Sequence, residues 1–143
     1  AKLVREYGML NVLVTNGTAS LEVLEELLPW IDAMNIDLKG FREDYYRKLG
    51  GDLETVKAFI ARAQEGCHVE LTTLIVQGEN DSLEDMEAQA KWIAGLRPSI
   101  PLHITRFFPR YRMMDREATD VEQLYRLAGT AGKYLEKVYV GNV

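Results

Sequence analysis

Met34-Asn35-Ile36-Asp37-Leu38-Lys39-Gly40 and Val69-Glu70-Leu71-Thr72-Thr73-Leu74-Ile75-Val76, the latter followed by Gln77-Gly78, are short segments with apolar residues at alternate positions that end in a polar residue and a glycine. Runs of this kind read as strands, at 34–38 and 69–76. Between them Leu53, Val56, Phe59, Ile60 and Ala63 recur at helical spacing. A strand, a helix and a strand joined by so long a connection imply a parallel pair, because antiparallel neighbours need only a tight turn.

The same alternation continues in both directions. Further strands are expected at 11–15, 101–108 and 137–140. Helical stripes fall on Leu21, Leu24, Leu27 and Leu28, on Leu83, Met86, Ala90 and Ile93, and on Val121, Leu124, Tyr125, Ala128 and Ala131. A shorter helix is expected at 42–48, where Phe41, Tyr45 and Leu49 recur every four residues. Ser82 with Asp85, and Thr119 with Glu122, read as capping pairs, and Gly66 and Gly95 as helix ends. Residues 2–7 read as a helix closed by Gly8. The fold class is therefore α/β, with five mostly parallel strands alternating with helices. From pattern alone two architectures remain open: a doubly wound sheet, or consecutive units of a (β/α) barrel.

With 47% hydrophobic and 27% charged residues, the 143-residue chain has the composition of one core, so one domain over 1–143 is expected. Its net charge of −5 argues against nucleic acid and anionic membrane surfaces as partners. No apolar run approaches the ~20 residues of a membrane span, and the start lacks a signal peptide's apolar region, which reads as a cytoplasmic protein. The single cysteine, Cys67, excludes an intrachain disulfide and a cysteine-only metal cage built from this chain. No glycine fingerprint for a dinucleotide and no phosphate loop is present.

In both architectures ligands bind beyond the C-terminal strand ends. Here these are Thr15-Asn16-Gly17, Asp37-Leu38-Lys39-Gly40, Gln77-Gly78-Glu79-Asn80-Asp81, the run Arg106-Phe107-Phe108-Pro109-Arg110-Tyr111-Arg112, and Gly141-Asn142. Strand alternation puts Asn35, Asp37 and Lys39 on one face and Ile36 and Leu38 on the other. A carboxylate and an ammonium two positions apart fit the two charged ends of an amino-acid-like ligand, or form a salt bridge within the sheet. The cluster Arg106, Arg110, Arg112 and Arg116 fits an anionic or peptide partner, or a solvated loop paired with nearby acids. His68 and His103 lack metal-ligand spacing and read as structural, and Cys67 reads as inert packing opposite the functional face.

Leu13-Val14-Thr15-Asn16-Gly17, then Ile31-Asp32-Ala33-Met34-Asn35-Ile36-Asp37-Leu38-Lys39-Gly40, resembles the middle of the pyruvate formate-lyase activating enzymes. Those are radical S-adenosylmethionine (SAM) proteins, and the resemblance is closest to the AmmeMemoRadiSam members. Further matches are Val69 to Val76 followed by Gly78, Asn80 and Asp81, then Pro101-Leu102-His103-Ile104-Thr105-Arg106-Phe107, and Val138-Tyr139-Val140-Gly141-Asn142. The resemblance implies a TIM-like partial (β/α) barrel whose intact form reductively cleaves SAM at a [4Fe–4S] cluster to a 5′-deoxyadenosyl radical. Glycyl-radical activation of a protein is one of its outlets.

The CxxxCxxC loop and the glycine-rich segment that such enzymes carry are not in this sequence, so the resemblance is to a C-terminal portion, inactive alone. It implies that Asp37 and Lys39 line the SAM site together with Asn16, that Thr15 and Asn35 lie beside Asp37 in a monovalent-cation pocket, and that Leu74 sits near the adenine. Arg106 and Phe108 are implied at the same site. Val14 stands where activating enzymes place an acid, and Phe108 where many have a histidine. Exposed edge strands would make such a portion self-associate. The competing reading is a stand-alone, non-catalytic α/β module that binds a ligand or partner.

Overall fold

The computed structural model describes residues 1–143. Strands β1 (Val12–Thr15), β2 (Ala33–Asp37), β3 (His68–Ile75), β4 (Leu102–Arg106) and β5 (Val138–Gly141) form one sheet in chain order, every pair parallel. The helices are α1 (Lys2–Glu6), α2 (Leu21–Leu27), α3 (Glu43–Lys48), α4 (Leu53–Gly66), α5 (Leu83–Leu96) and α6 (Val121–Ala131). Strand order decides between the two architectures. A doubly wound sheet reverses its order at a switch point and carries helices on both faces, whereas barrel units add strands in sequence under helices on one face. Five open parallel strands in sequence are part of a (β/α) barrel.

Side-chain parity confirms the one-sided build. Met34, Ile36 and Leu38, then Val69, Leu71 and Ile75, then Leu102 and Ile104, are buried in a single core with the helices. Strand residues of the opposite parity, among them Val12, Val14, Asn35, Asp37, Glu70, Thr72, Leu74, His103 and Tyr139, are exposed or half-buried. The stripe on α4 is fully committed: Leu53, Val56, Phe59, Ile60 and Ala63 are all buried. Phe59 alone represents roughly 3–5 kcal/mol if truncated to alanine, from lost transfer energy and the cavity left behind.

Three helix-level expectations are corrected. Ser82 caps α5 as expected, accepting from the Asp85 amide at 3.1 Å, but α6 is capped by Asp120, which accepts from the Glu122 amide at 3.2 Å. Thr119 is drawn inward, where its hydroxyl donates to the Ile75 carbonyl. The buried residues of α6 are Leu124, Leu127 and Ala131, and Tyr125 is 56% exposed; the apolar register runs through Leu127. Gly95 lies inside α5, which ends one residue later. The strand expected at 101–108 stops at Arg106, because the next amide, Phe107, bonds the Thr119 hydroxyl at 3.3 Å and Pro109 has no amide hydrogen.

Candidate functional site

Pairing along β2 ends at Asp37. The Leu38 amide still bonds the Thr72 carbonyl at 2.9 Å, and Lys39 then returns its side chain to the face shared by Asn35 and Asp37. There the Lys39 Nζ donates to Asp37 Oδ2 at 2.8 Å, with both side chains over a third exposed. An exposed ion pair of this kind contributes only about 0–1 kcal/mol, so a ligand carrying both charges can replace it at little cost.

Asp37 and Lys39, with Thr72 beside them, form the polar side of a cleft of about 340 Å³ at the C-terminal strand ends. Leu74 and Val76 of the β3 exit, Tyr45 and Leu49 of the α3 segment, and Phe107 and Met113 of the loop after β4 form its apolar side. That volume lies at the lower end of small-molecule sites, and the combination of an apolar wall with a few convergent charges is typical of them. Below the cleft, the Tyr46 hydroxyl accepts the Lys39 amide at 3.0 Å. Burial pushes this phenol up to about 12, so it stays neutral throughout the physiological range.

A charged cluster ties two sides of the mouth together. Glu79 accepts from Lys48 of α3 at 2.6 Å and from Arg116 of the 107–119 loop at 2.5 Å. Hydrogen bonds from Lys48 and then Arg116 hold its carboxyl below the usual range. Arg116 is thus paired with an acid, and Arg106 is engaged by the Thr119 carbonyl at 2.7 Å with its guanidinium 4.8 Å from the Phe108 ring centre. Arg112 lies over the Tyr111 ring.

Of the residues expected at the site, Asp37, Lys39 and Leu74 line the cleft. Asn35 reaches it indirectly, accepting from the Thr72 hydroxyl at 2.8 Å. Thr15 and Asn16 are used in their own turn: Thr15 Oγ1 accepts from the Gly17 amide at 3.1 Å, and Asn16 Oδ1 from the Thr18 amide and hydroxyl. Gly17 has φ +69°, and a Cβ there would meet Ile36 at 3.1 Å, so the turn needs glycine. Arg106 and Phe108 do not line the cleft; Phe107 does, because it continues the parity of His103 and Thr105. Tyr45, Leu49, Phe107 and Met113 are cleft residues that the sequence reading missed. The four-residue recurrence through Tyr45 and Leu49 had marked a helical face; Met113 sits in a loop with no periodicity.

His68 and His103, distant in sequence, meet on one carboxylate: their Nε2 atoms lie 3.0 and 2.6 Å from the two oxygens of Glu70. His103 also stacks on Tyr139, with ring centres 5.2 Å apart. Hydrogen bonds from His68 and then His103 hold the Glu70 carboxyl below its ordinary range. No group of His, Cys, Asp and Glu side chains is arranged to hold a metal ion. Cys67 follows α4 at the opposite end of the sheet from the cleft, and burial pushes its thiol up, the opposite of an activated thiolate. The residues of this chain therefore do not fit an iron–sulfur cluster, which takes several thiolates.

No helix is long and apolar enough to cross a membrane. No family model matches the chain. An uncharacterised protein of Methanocaldococcus jannaschii is 39% identical over 99% of the chain, which spans 43% of that relative's length. Among solved structures, a domain of a pyruvate formate-lyase-activating enzyme from Bacteroides vulgatus superposes with a TM-score of 0.85 at 18% identity, covering 99% of this chain and 86% of that one. A radical SAM methyltransferase from Sphaerobacter thermophilus gives 0.67 at 15% identity over 91% of this chain and 39% of that one. An archaeal TYW1 gives 0.62 at 16% over 94% and 43%. At these identities the likeness is one of fold: the chain shares with these structures an open sheet of parallel strands alternating with helices, part of a (β/α) barrel.

Proposed function

We propose that the chain is the C-terminal portion of a radical SAM enzyme of the activating-enzyme type, and that its cleft contributes the amino-acid and adenine sides of the SAM site. The observation that carries this reading is the Asp37–Lys39 pair, 2.8 Å apart and solvent-accessible, set against an apolar wall at the C-terminal strand ends of this fold. SAM matches that division: a zwitterionic amino acid at one end and a flat, largely apolar base at the other. Asp37 would take the ammonium, Lys39 the carboxylate, and Leu74 with Phe107 would pack on the base. Asn35 would orient Thr72 beside them.

The intact parent would cleave SAM reductively at a [4Fe–4S] cluster to a 5′-deoxyadenosyl radical, which takes hydrogen from a protein or small-molecule acceptor. Its cluster thiolates would come from residues outside this sequence, and this chain's part is to bind and orient SAM and keep water from its apolar side. One uncovered sheet face and two free sheet edges support a barrel portion over a stand-alone binding module, whose edges would be protected.

Calorimetric titration of the 143-residue chain with SAM tests the reading. Binding is expected, with Asp37→Asn and Lys39→Met each weakening it by about tenfold, the effect of losing one charge-assisted contact. A chain that gives no heat with SAM, or variants that bind as the wild type does, would remove the basis for assigning this ligand to the cleft.

A further inference from the structure

Asn80, 6% exposed, lies behind the cleft in the loop that follows β3. Its side chain makes three hydrogen bonds. Nδ2 donates to the Lys39 carbonyl at 2.7 Å and to the Leu74 carbonyl at 2.9 Å, while Oδ1 accepts from the Val76 amide at 2.8 Å. The two carbonyls and the amide fix which way the carboxamide points, since only its nitrogen can face two acceptors. Lys39, just past the end of β2, belongs to the polar side of the cleft, and Leu74, on the adjacent strand β3, to the apolar side. Asn80 is the one side chain bonded to the backbone of both.

The surrounding bonds show why this position matters. Lys39 lies past the last residue of β2, where no strand neighbour holds it. Its amide goes to the Tyr46 hydroxyl and its carbonyl to Asn80. The preceding carbonyl, Leu38, accepts from the buried Thr73 hydroxyl at 2.7 Å. A segment outside the sheet is thus held at consecutive peptide groups, and the bond to Asn80 is the one that also reaches the opposite side of the cleft.

We infer that Asn80 is a positioning residue: it sets the separation between the Lys39 charge and the Leu74 wall, and so the fit of a ligand that must touch both. The inference rests on the reading of the cleft as a SAM site for its ligand, and on geometry alone for the positioning. Asn80→Asp is the informative variant, because it keeps the size of the side chain and the acceptor for Val76 while replacing the donor that faces two carbonyls. Ile93→Ala, a core truncation in α5 away from the cleft, serves as a destabilised control.

Two measurements decide it, both made where circular dichroism shows the variants folded. Without ligand, amide exchange at Lys39 and Gly40 is expected to accelerate by about tenfold or more in Asn80→Asp beyond any change in Ile93→Ala. With ligand, SAM affinity is expected to fall by about tenfold in Asn80→Asp and to stay at the wild-type value in Ile93→Ala. Unchanged exchange at Lys39 in folded Asn80→Asp overturns the inference, as does a loss of affinity that Ile93→Ala shares. A wild-type chain that does not bind SAM, with the exchange effect present, leaves Asn80 as the positioning residue and sinks the ligand assignment instead.

Discussion

Glu70 carries an imidazole on each of its two carboxylate oxygens, and this makes its protonation a measurable part of stability. The hydrogen bonds from His68 and His103 favour the ionised form, so the folded-state pKa lies below the ordinary 4.5. Above 4.5 the carboxylate is ionised in folded and unfolded chains alike, and its contribution is complete. As pH falls through 4.5 the unfolded chain takes up the proton first, and the contribution fades until the folded group is protonated too. Urea unfolding of wild type and Glu70→Gln should therefore differ most above pH 4.5 and converge as pH falls below it. A difference that stays level through the acid range would mean that the two imidazoles do not bias this carboxylate. Strand alternation alone brings His68 and Glu70 to one face of β3, but His103 joins them only once β3 and β4 lie side by side.

Among the elements, the loop between β4 and α6 depends most on a single side chain. Thr119 is fully buried, and its hydroxyl donates to the Ile75 carbonyl and accepts from the Phe107 amide, while its own backbone carbonyl takes Arg106. Thr119→Val keeps the shape and leaves two buried backbone groups without a partner, a loss of about 1–3 kcal/mol in urea denaturation. A loss below a few tenths would show that water or a shifted loop replaces the hydroxyl. This residue also shows where sequence reading stops. The order of strands and helices was legible, because Leu53 through Ala63 and Val69 through Ile75 carry clean 3.6 and 2.0 periods. So was the alternation that brings Asp37 and Lys39 to one face, because it needs only strand geometry. Thr119 looked like a cap because hydroxyls before helices usually are; the neighbouring Asp120 does that work and frees Thr119 for a long-range bond to β3. Met113 was illegible for a related reason: in the loop after β4 no period constrains which side chain turns toward the cleft, whereas Phe107 only extends the parity of His103 and Thr105.

At the scale of the whole molecule, the sheet has an unsatisfied geometry. Parallel sheets are normally covered on both faces, and here only one face is. Val14 is 74% exposed and Val12 67% on the uncovered face of β1, and Tyr139 is 49% exposed on that of β5. The outer edges of β1 and β5 have no strand partner. Because all five strands run in the same direction, a two-fold axis along that direction would bring β5 of one copy beside β1 of the next at both seams, each pair parallel. The two uncovered faces would then look at each other. In the isolated chain this predicts a dimer in sedimentation analysis at tens of micromolar. Val14→Lys, which puts a charge on that face at the edge strand, should return it to a monomer with the same circular dichroism. Leu21→Lys, a matched change at an exposed position on α2, should leave the dimer intact. A wild-type chain that sediments as a monomer would show that solvent covers this face adequately, and a dimer unaffected by Val14→Lys would move the contact away from β1. If Val14→Lys does give the monomer, SAM titration of that variant separates two roles of the open face. Binding retained would place the ligand wholly within one copy's cleft. Binding lost would mean that the covering surface, whether a second copy here or preceding barrel units in a longer parent, completes the site.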